Sequence, residues 1–418
     1  MITVISLGYN LYTPYWLRQH DSRNFYSPEF GGHFGYIGYI YNNLCLPQGS
    51  PMGIWCFSNP PFFYIISTIV IKLFEIFHFS IDNCFEILQL LTFGYYIIFI
   101  IYLYKILKEL NLQKIIIPTL LFVSLSPALI IMSGSINNDM LSNTLSIMAI
   151  YYTIIWYKKD SLKILLKIAL TISLAIMTKI SSALIAVAIA FVFLIKLIKN
   201  KKNIKKYICH FTIFAIISLP IGLWFPIKNL VLYNIPITYV QSVDPSNEAN
   251  ISKYTYFDRF FKINNTHLNT ININMSSENA EYNIFNTTLK SFIIDEHIDY
   301  EENNLLNIVI PSIFYISVIS SILYLINICY IFKDRKNINN WLYFFLLISI
   351  IQIIAYINFC FNYPFTFTMN FRYIIPTLIT FAVTISMSSE KNQKLYYLNT
   401  ITMLLFSSLS ILMFTNII

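Results

Sequence analysis

The stretch Ser133-Gly134-Ser135-Ile136-Asn137-Asn138-Asp139 sets one carboxylate and two adjacent amides at the junction of two apolar segments long enough to cross a bilayer. A carboxylate accepts protons, orients hydroxyls or holds cations, so something polar is handled at this boundary. Polar side chains recur at comparable boundaries: His20-Asp21 after the first apolar run, His33, Asn59-Pro60-Pro61, Thr178-Lys179, Lys228-Asn229 and Arg372-Tyr373. An ionisable group in hydrocarbon costs roughly 2.5–3.5 kcal/mol on insertion scales, so several gathered on one face amount to a site. Each also has a plain structural explanation. Asp139 suits a helix N-terminus, with Asn137 or Asn138 as its cap. Lys179 suits a boundary lysine reaching for headgroups, Arg372 an interfacial anchor and Asp21 a solvated loop. Their common sidedness is what these separate explanations leave unaccounted for.

The elements that must position these residues are membrane helices. Only 11% of the 418 residues are charged and 56% are hydrophobic, with a mean hydropathy of +0.61, which is membrane composition. A hydrocarbon core of about 30 Å takes roughly 20 apolar residues in a helix. Runs at 81–104, 114–133, 138–157, 162–178, 180–197, 207–230, 305–332, 341–358, 371–387 and 395–414 meet that need, and 1–16 reads as a first, short crossing. The expectation is an all-α polytopic bundle of about eleven crossings. Segment 1–16 lacks the basic cytoplasmic flank of a first crossing, as if a longer design had been shortened. No basic n-region or small-x-small site marks it as a cleavable leader.

Lysine and arginine gather in cytoplasmic loops. Here they cluster at Lys105–Lys114, Lys158–Lys163, Lys196–Lys206, Lys333–Lys336 and Lys391–Lys394, each separated from the next by two crossings. That orientation leaves 18–80, 133–138, Lys179, 233–304 and 359–370 on the extracytoplasmic side. It also requires the apolar run 60–77, which carries Lys72 and Glu75, to lie along the outer surface as an interfacial helix. The excess of 28 basic over 20 acidic residues, +8, faces anionic lipid and does not point to nucleic acid. The outer loop 234–303 is acidic and Asn-rich, too thin in apolar residues for much of a core, and reads as a small cap within a single domain spanning 1–418. Cys45 and Cys56 share an outer loop, where a disulfide or two free thiols fit equally. There is no CxxC, HExxH, P-loop, dinucleotide fingerprint or internal repeat.

Taken in order, several segments resemble the GT-C superfamily of membrane glycosyltransferases, in particular the group of protein mannosyltransferases and the lipid A aminoarabinose transferase. Asp21 and His33, then Tyr36-Ile37-Gly38-Tyr39-Ile40, Leu46-Pro47 and Asn59-Pro60-Pro61-Phe62-Phe63-Tyr64, look like that group's first outer loop, an acidic residue followed by a His-Pro-Pro-Leu-Tyr-Tyr type motif. Ser133 to Asp139 is similar to Ser-Gly-x-x-Asn-Asn-Asp, and Thr178-Lys179-Ile180-Ser181 to Thr-Lys-Tyr-Ser. Trp224 to Tyr233 resembles Trp-x-x-x-Arg-Asn-x-x-x-Tyr, and Phe371-Arg372-Tyr373-Ile374-Ile375-Pro376 an Arg-Tyr-x-x-Pro element. Asn59 stands where histidine is usual and Lys228 where arginine is common.

The resemblance implies transfer of a sugar from a polyprenyl-phosphate donor to an extracytoplasmic protein, lipid or glycan acceptor, with inversion. Asp21 is the expected general base, because an alcohol is a weak nucleophile at neutral pH. Lys179, Arg372 and His33 would stabilise the phosphate leaving group. Asp139 would orient the acceptor, assist as a second carboxylate, or join Asp21 in holding a divalent cation; orientation ranks first, since two carboxylates are few ligands for a metal. His20, Asn59, Asn137, Asn138 and Tyr373 would line the sugar and acceptor groove. No cofactor is otherwise implied. The expected place is a bacterial plasma membrane, the active site outside. Two other classes stay open: a flippase or transporter for lipid-linked sugars, which would put its charges nearer the midplane, and a polysaccharide polymerase or ligase of related architecture.

Overall fold

The computed structural model describes residues 3–17, 24–269, 272–276, 278–295, 304–333 and 339–417. His20 and Asp21 therefore lie outside the described residues. The chain is helical throughout, with no strand among the described residues. α1 (Val4–Tyr12) is followed by α2 (Gly32–Asn43), α3 (Phe62–Ile76) and α4 (Ile81–Glu109). Next come α5 (Ile116–Ser124), α6 (Pro127–Met132), α7 (Asp139–Lys159), α8 (Leu162–Thr178), α9 (Ala183–Lys199) and α10 (Ile204–Tyr233). The short α11 (Tyr256–Phe261), α12 (Asn265–Asn269) and α13 (Ile284–Ile293) precede α14 (Leu306–Lys333), α15 (Trp341–Asn362), α16 (Pro376–Lys391) and α17 (Gln393–Ile417).

Among the described residues six helices are long and apolar enough to cross a membrane, seven if the bent pair Thr366–Ile374 and Pro376–Lys391 counts as one. This is a multi-pass membrane protein with fewer self-evident spans than the hydropathy runs suggest. The reasons are local. Segment 114–133 is broken at Ser126-Pro127 into α5 and α6, because proline cannot supply the amide an unbroken helix needs. α1 has 9 residues and α8 has 17, and the first turns of α7 are dominated by buried polar side chains. α3, with 15 residues, reaches only about 22 Å at 1.5 Å per residue and falls short of a span. One of its faces packs on α2 and α4, while Ile69, Leu73 and Ile76 are exposed.

The chain forms two compact units. One, residues 14–109 and 133–241, contains α2–α4 and α7–α10; α7 packs on α4, α8 and α9, and α10 lies along α8. Its aromatic core includes Phe25, Tyr36, Phe57, Phe63 and Tyr64. Glycine permits the close approach that builds it. A Cβ on Gly38 would come within 2.1 Å of the Phe25 carbonyl oxygen, and one on Gly31, whose φ is +72, within 2.5 Å of that of Trp55.

The other unit, residues 1–13, 110–132 and 242–418, contains α1, α5, α6 and α11–α17. A buried amide clasp joins three of its long helices: Asn399 Nδ2 of α17 donates to Asn327 Oδ1 of α14 at 3.0 Å and to Ser389 Oγ of α16 at 2.9 Å. Such bonds are a recurring glue between membrane helices. Segment 242–295 folds against this bundle rather than lacking a core. Ile251, Ala280, Tyr282 and Ile284 are buried with Tyr356, Cys360, Met369 and Ile374, so α15 and the turn after it supply the apolar partners the loop sequence lacks. Glu281 is fully buried, ion-paired to Lys290, and accepts hydrogen bonds from Asn286 Nδ2 at 3.2 Å and Thr287 Oγ1 at 3.3 Å. Burial pushes the Lys290 ammonium below its ordinary range, and the Glu281 charge opposes that shift. No disulfide joins Cys45 to Cys56.

Candidate active site

In the unit containing α2–α4 and α7–α10, the first turn of α2 brings His33 into the aromatic core, where it is buried. The N-terminal turn of α3 sets Tyr64 beside it. The Tyr64 ring stacks on Tyr36, centroids 4.1 Å apart, and on the imidazole of His33 at 5.7 Å. Asn59 Nδ2 donates to the Tyr64 hydroxyl at 3.1 Å, and that hydroxyl lies 2.9 Å from His33 Nδ1. Burial pushes the Tyr64 phenol well above its ordinary range, with Cys56, Tyr36 and Asp139 adding to the effect and the Asn59 bond opposing it. The phenol therefore keeps its proton. Asn59 presents a donor, so a neutral His33 protonated at Nε2 would accept that proton at Nδ1.

The second group forms where α7 begins and α8 ends. Asp139, only 2% exposed, lies in the first turn of α7 and is ion-paired to Lys179, which caps the C-terminus of α8 and remains 21% exposed. Both charges suit the helix dipoles. Asn138 Nδ2 donates to the Thr178 carbonyl at 3.0 Å, tying the two ends together, and Asn137 Oδ1 accepts from the Asp139 amide at 3.0 Å. The Asn137 Nδ2 group is buried without a hydrogen-bond partner among the described residues. Deeper along α7, Ser142 Oγ lies 2.6 Å from Ser182 Oγ, and Asn143 Nδ2 donates to the Asp139 carbonyl at 3.0 Å. The two groups lie in the same unit, where α3 packs on α8.

Asp139, Lys179, Asn137, Asn138, His33 and Asn59 thus gather in one unit. Arg372 and Tyr373 belong to the other, in the short helical turn between α15 and α16, where the bent pair turns by 50°. Arg372 is buried; its Nη2 donates to the Tyr373 hydroxyl at 2.9 Å and its guanidinium lies 4.8 Å from that ring's centroid. Asn370 Oδ1 accepts from the Arg372 amide at 2.9 Å, its Nδ2 donates to Asp295 Oδ1 at 2.6 Å, and Ser291 Oγ of α13 accepts from the Phe371 amide at 2.9 Å.

The sequence reading did not single out Tyr64, Ser142 or Ser182. Tyr64 stands in the quoted Asn-Pro-Pro motif but is one aromatic residue among many. Ser142, Asn143 and Ser146 follow Asp139 at helical spacing, so a period count on α7 exposes that polar stripe. Among the described residues no three His, Cys, Asp or Glu side chains converge as a metal set would, and the Asp139 carboxylate carries Lys179. Asp21, the other carboxylate considered for a divalent cation, lies outside the described residues.

Residues 58–224 match the family model of the dolichyl-phosphate-mannose-protein mannosyltransferases, a GT-C family. Over this segment the chain is similar to a GT-C family of membrane glycosyltransferases. The match runs from the residue before Asn59 to Trp224 of α10 and takes in Asn59, Tyr64, Asn137, Asn138, Asp139 and Lys179. His33, Arg372 and Tyr373 lie beyond it. No curated protein matches the chain.

Proposed function

We propose that the protein transfers a sugar from a polyprenyl-phosphate carrier to an acceptor hydroxyl or amine at the outer face of a bacterial plasma membrane, inverting the anomeric carbon. What supports this reading most is the Asp139–Lys179 pair, which lies with Asn59 and Tyr64 inside the segment that matches the mannosyltransferase family, while His33, which meets the Tyr64 hydroxyl, precedes that segment. A polyprenyl-phosphate sugar needs no proton on its leaving group, because the departing phosphate is already an anion. It needs fixed positive charge and hydrogen-bond donors in a site of low dielectric, where each counts for more than in water. Lys179, held by a buried carboxylate, and the Nε2 proton of His33 are donors of that kind. Asp139 then acts as a positioning residue for Lys179 and the acceptor, and Asp21 takes the acceptor's proton.

The test is transfer of radiolabelled sugar from polyprenyl-phosphate donors in membranes bearing the chain, against membranes without it. Chain-dependent label in an acceptor supports the reading. Label that only moves between leaflets overturns it in favour of a flippase.

Tyr64→Phe isolates the histidine's part. The substitution keeps the aromatic stack but removes the hydroxyl that fixes the ring proton on Nε2. Transfer is expected to fall about 10-fold, the scale of one lost buried hydrogen bond, at unchanged abundance and with an altered pH profile. A profile that merely scales down would leave Tyr64 as packing.

A further inference from the structure

α11 carries an aromatic arc that nothing among the described residues covers. Tyr256, Phe260, Phe257 and Phe261 span about 140° of its circumference at 100° per residue. Phe260 turns toward α15, its ring stacked on Phe361 with centroids 5.6 Å apart. Tyr256, Phe257 and Phe261 remain 71%, 69% and 69% exposed. The opposite side of the helix fixes it in place. Arg259 is buried, its Nη2 donating to the Cys360 carbonyl at 2.8 Å and its guanidinium 4.7 Å from the Phe361 centroid. A capping box between Thr255 and Asp258 closes the N-terminus.

The position of the arc says what meets it. α15 is one of the self-sufficient membrane spans, and its outward ridge runs Ile350, Ile354, Ile357, Phe361 at helical spacing. Ile350 and Ile354 are exposed in the protein and so face lipid. Phe361 closes the ridge and touches Tyr256, ring centroids 4.7 Å apart. The arc is thus the continuation of a lipid-facing surface at the level where a spanning helix leaves the hydrocarbon. Aromatic rings are enriched at that level. The charges beside it, Asp258 and Lys262, pair with each other at 3.7 Å and give no net attraction for a charged partner.

We infer that α11 is an interfacial anchor whose Tyr256, Phe257 and Phe261 insert into the bilayer surface at the C-terminal end of α15. The anchored segment reaches α13, which packs on α11, and through Ser291 the turn that bears Arg372. Anchoring would therefore hold that turn at a fixed depth.

The test is Phe257→Trp in the full chain, reconstituted in vesicles of phosphatidylcholine and phosphatidylglycerol, with the wild-type emission subtracted. The added emission is expected to be blue-shifted and quenched several-fold more by acyl-brominated phosphatidylcholine than by aqueous iodide. Emission quenched by iodide and indifferent to brominated lipid would overturn the proposal and leave the arc open to a protein or glycan partner. Tyr256→Trp reports from the same arc should Phe257→Trp fail to fold. The readout requires no transfer activity, so it stands or falls apart from the proposed reaction.

Discussion

Asp21→Asn is expected to lower sugar transfer roughly 10²-fold or more, the scale of a lost general base, with the protein's abundance in the membrane unchanged. Two boundary carboxylates are candidates for taking the acceptor's proton, and the ion pair of Asp139 is our reason for proposing Asp21. Asp139 is buried and ion-paired to Lys179, so its charge is already matched by a neighbour and its oxygens serve to hold that neighbour. Asp21, which lies outside the described residues, belongs to the first outer loop, where the resemblance puts an acidic residue after the first helix. Asparagine keeps the shape and loses the proton acceptor. The measurement is initial rate of labelled transfer at matched expression over a range of pH. The wild-type rate should exceed the variant's across that range. Transfer that survives the substitution would move the base elsewhere, Asp139→Asn being the next variant to assay.

How far the sequence carries the fold differs from helix to helix. The long apolar runs behind α4, α9, α10, α14, α15 and α17 announce themselves, because a spanning helix must satisfy its backbone internally and expose apolar side chains. Segment 114–133 did not reveal its break, since hydropathy averages over Ser126-Pro127 while the helix cannot continue through it. The cap misled in the other direction. Its own residues are too polar for a core, but Ile251 and Tyr282 are buried by Tyr356 and Met369 from elements far along the chain, and composition is blind to such partners. The arc on α11 was equally hidden, a six-residue helix being too short to display a period.

The site was legible as an inventory and not as an arrangement. Scarcity of charge made Asp139, Lys179 and Arg372 conspicuous. That Asp139 meets Lys179 rather than lipid headgroups follows from the packing of α7 on α8, which no spacing along the chain states. The same packing turns the separate explanations, a dipole-favoured aspartate and a snorkelling lysine, into one ion pair.

That pair yields the second large effect. Lys179→Met should abolish most transfer and also weaken the fold, because it strands the Asp139 carboxylate in a buried setting. Breaking a buried pair from one side costs about 3–5 kcal/mol, and the partial exposure of Lys179 places the expected loss toward the lower end. Adding Asp139→Asn to the same chain removes the stranded charge while retaining the shape of the side chain. The double variant should recover most of the lost thermal stability. Its transfer should nevertheless stay at least about 10²-fold below wild type, since the cation that would face the leaving phosphate is still missing. Stability is read by thermal unfolding in detergent and function by transfer at saturating and limiting donor. Recovery of transfer together with stability would show that Lys179 only balances Asp139, and the phosphate would then have to be met by another donor. A double variant that is stable, inactive and weakened in its use of limiting donor places the ammonium at the donor phosphate, with Asp139 as the residue that aims it.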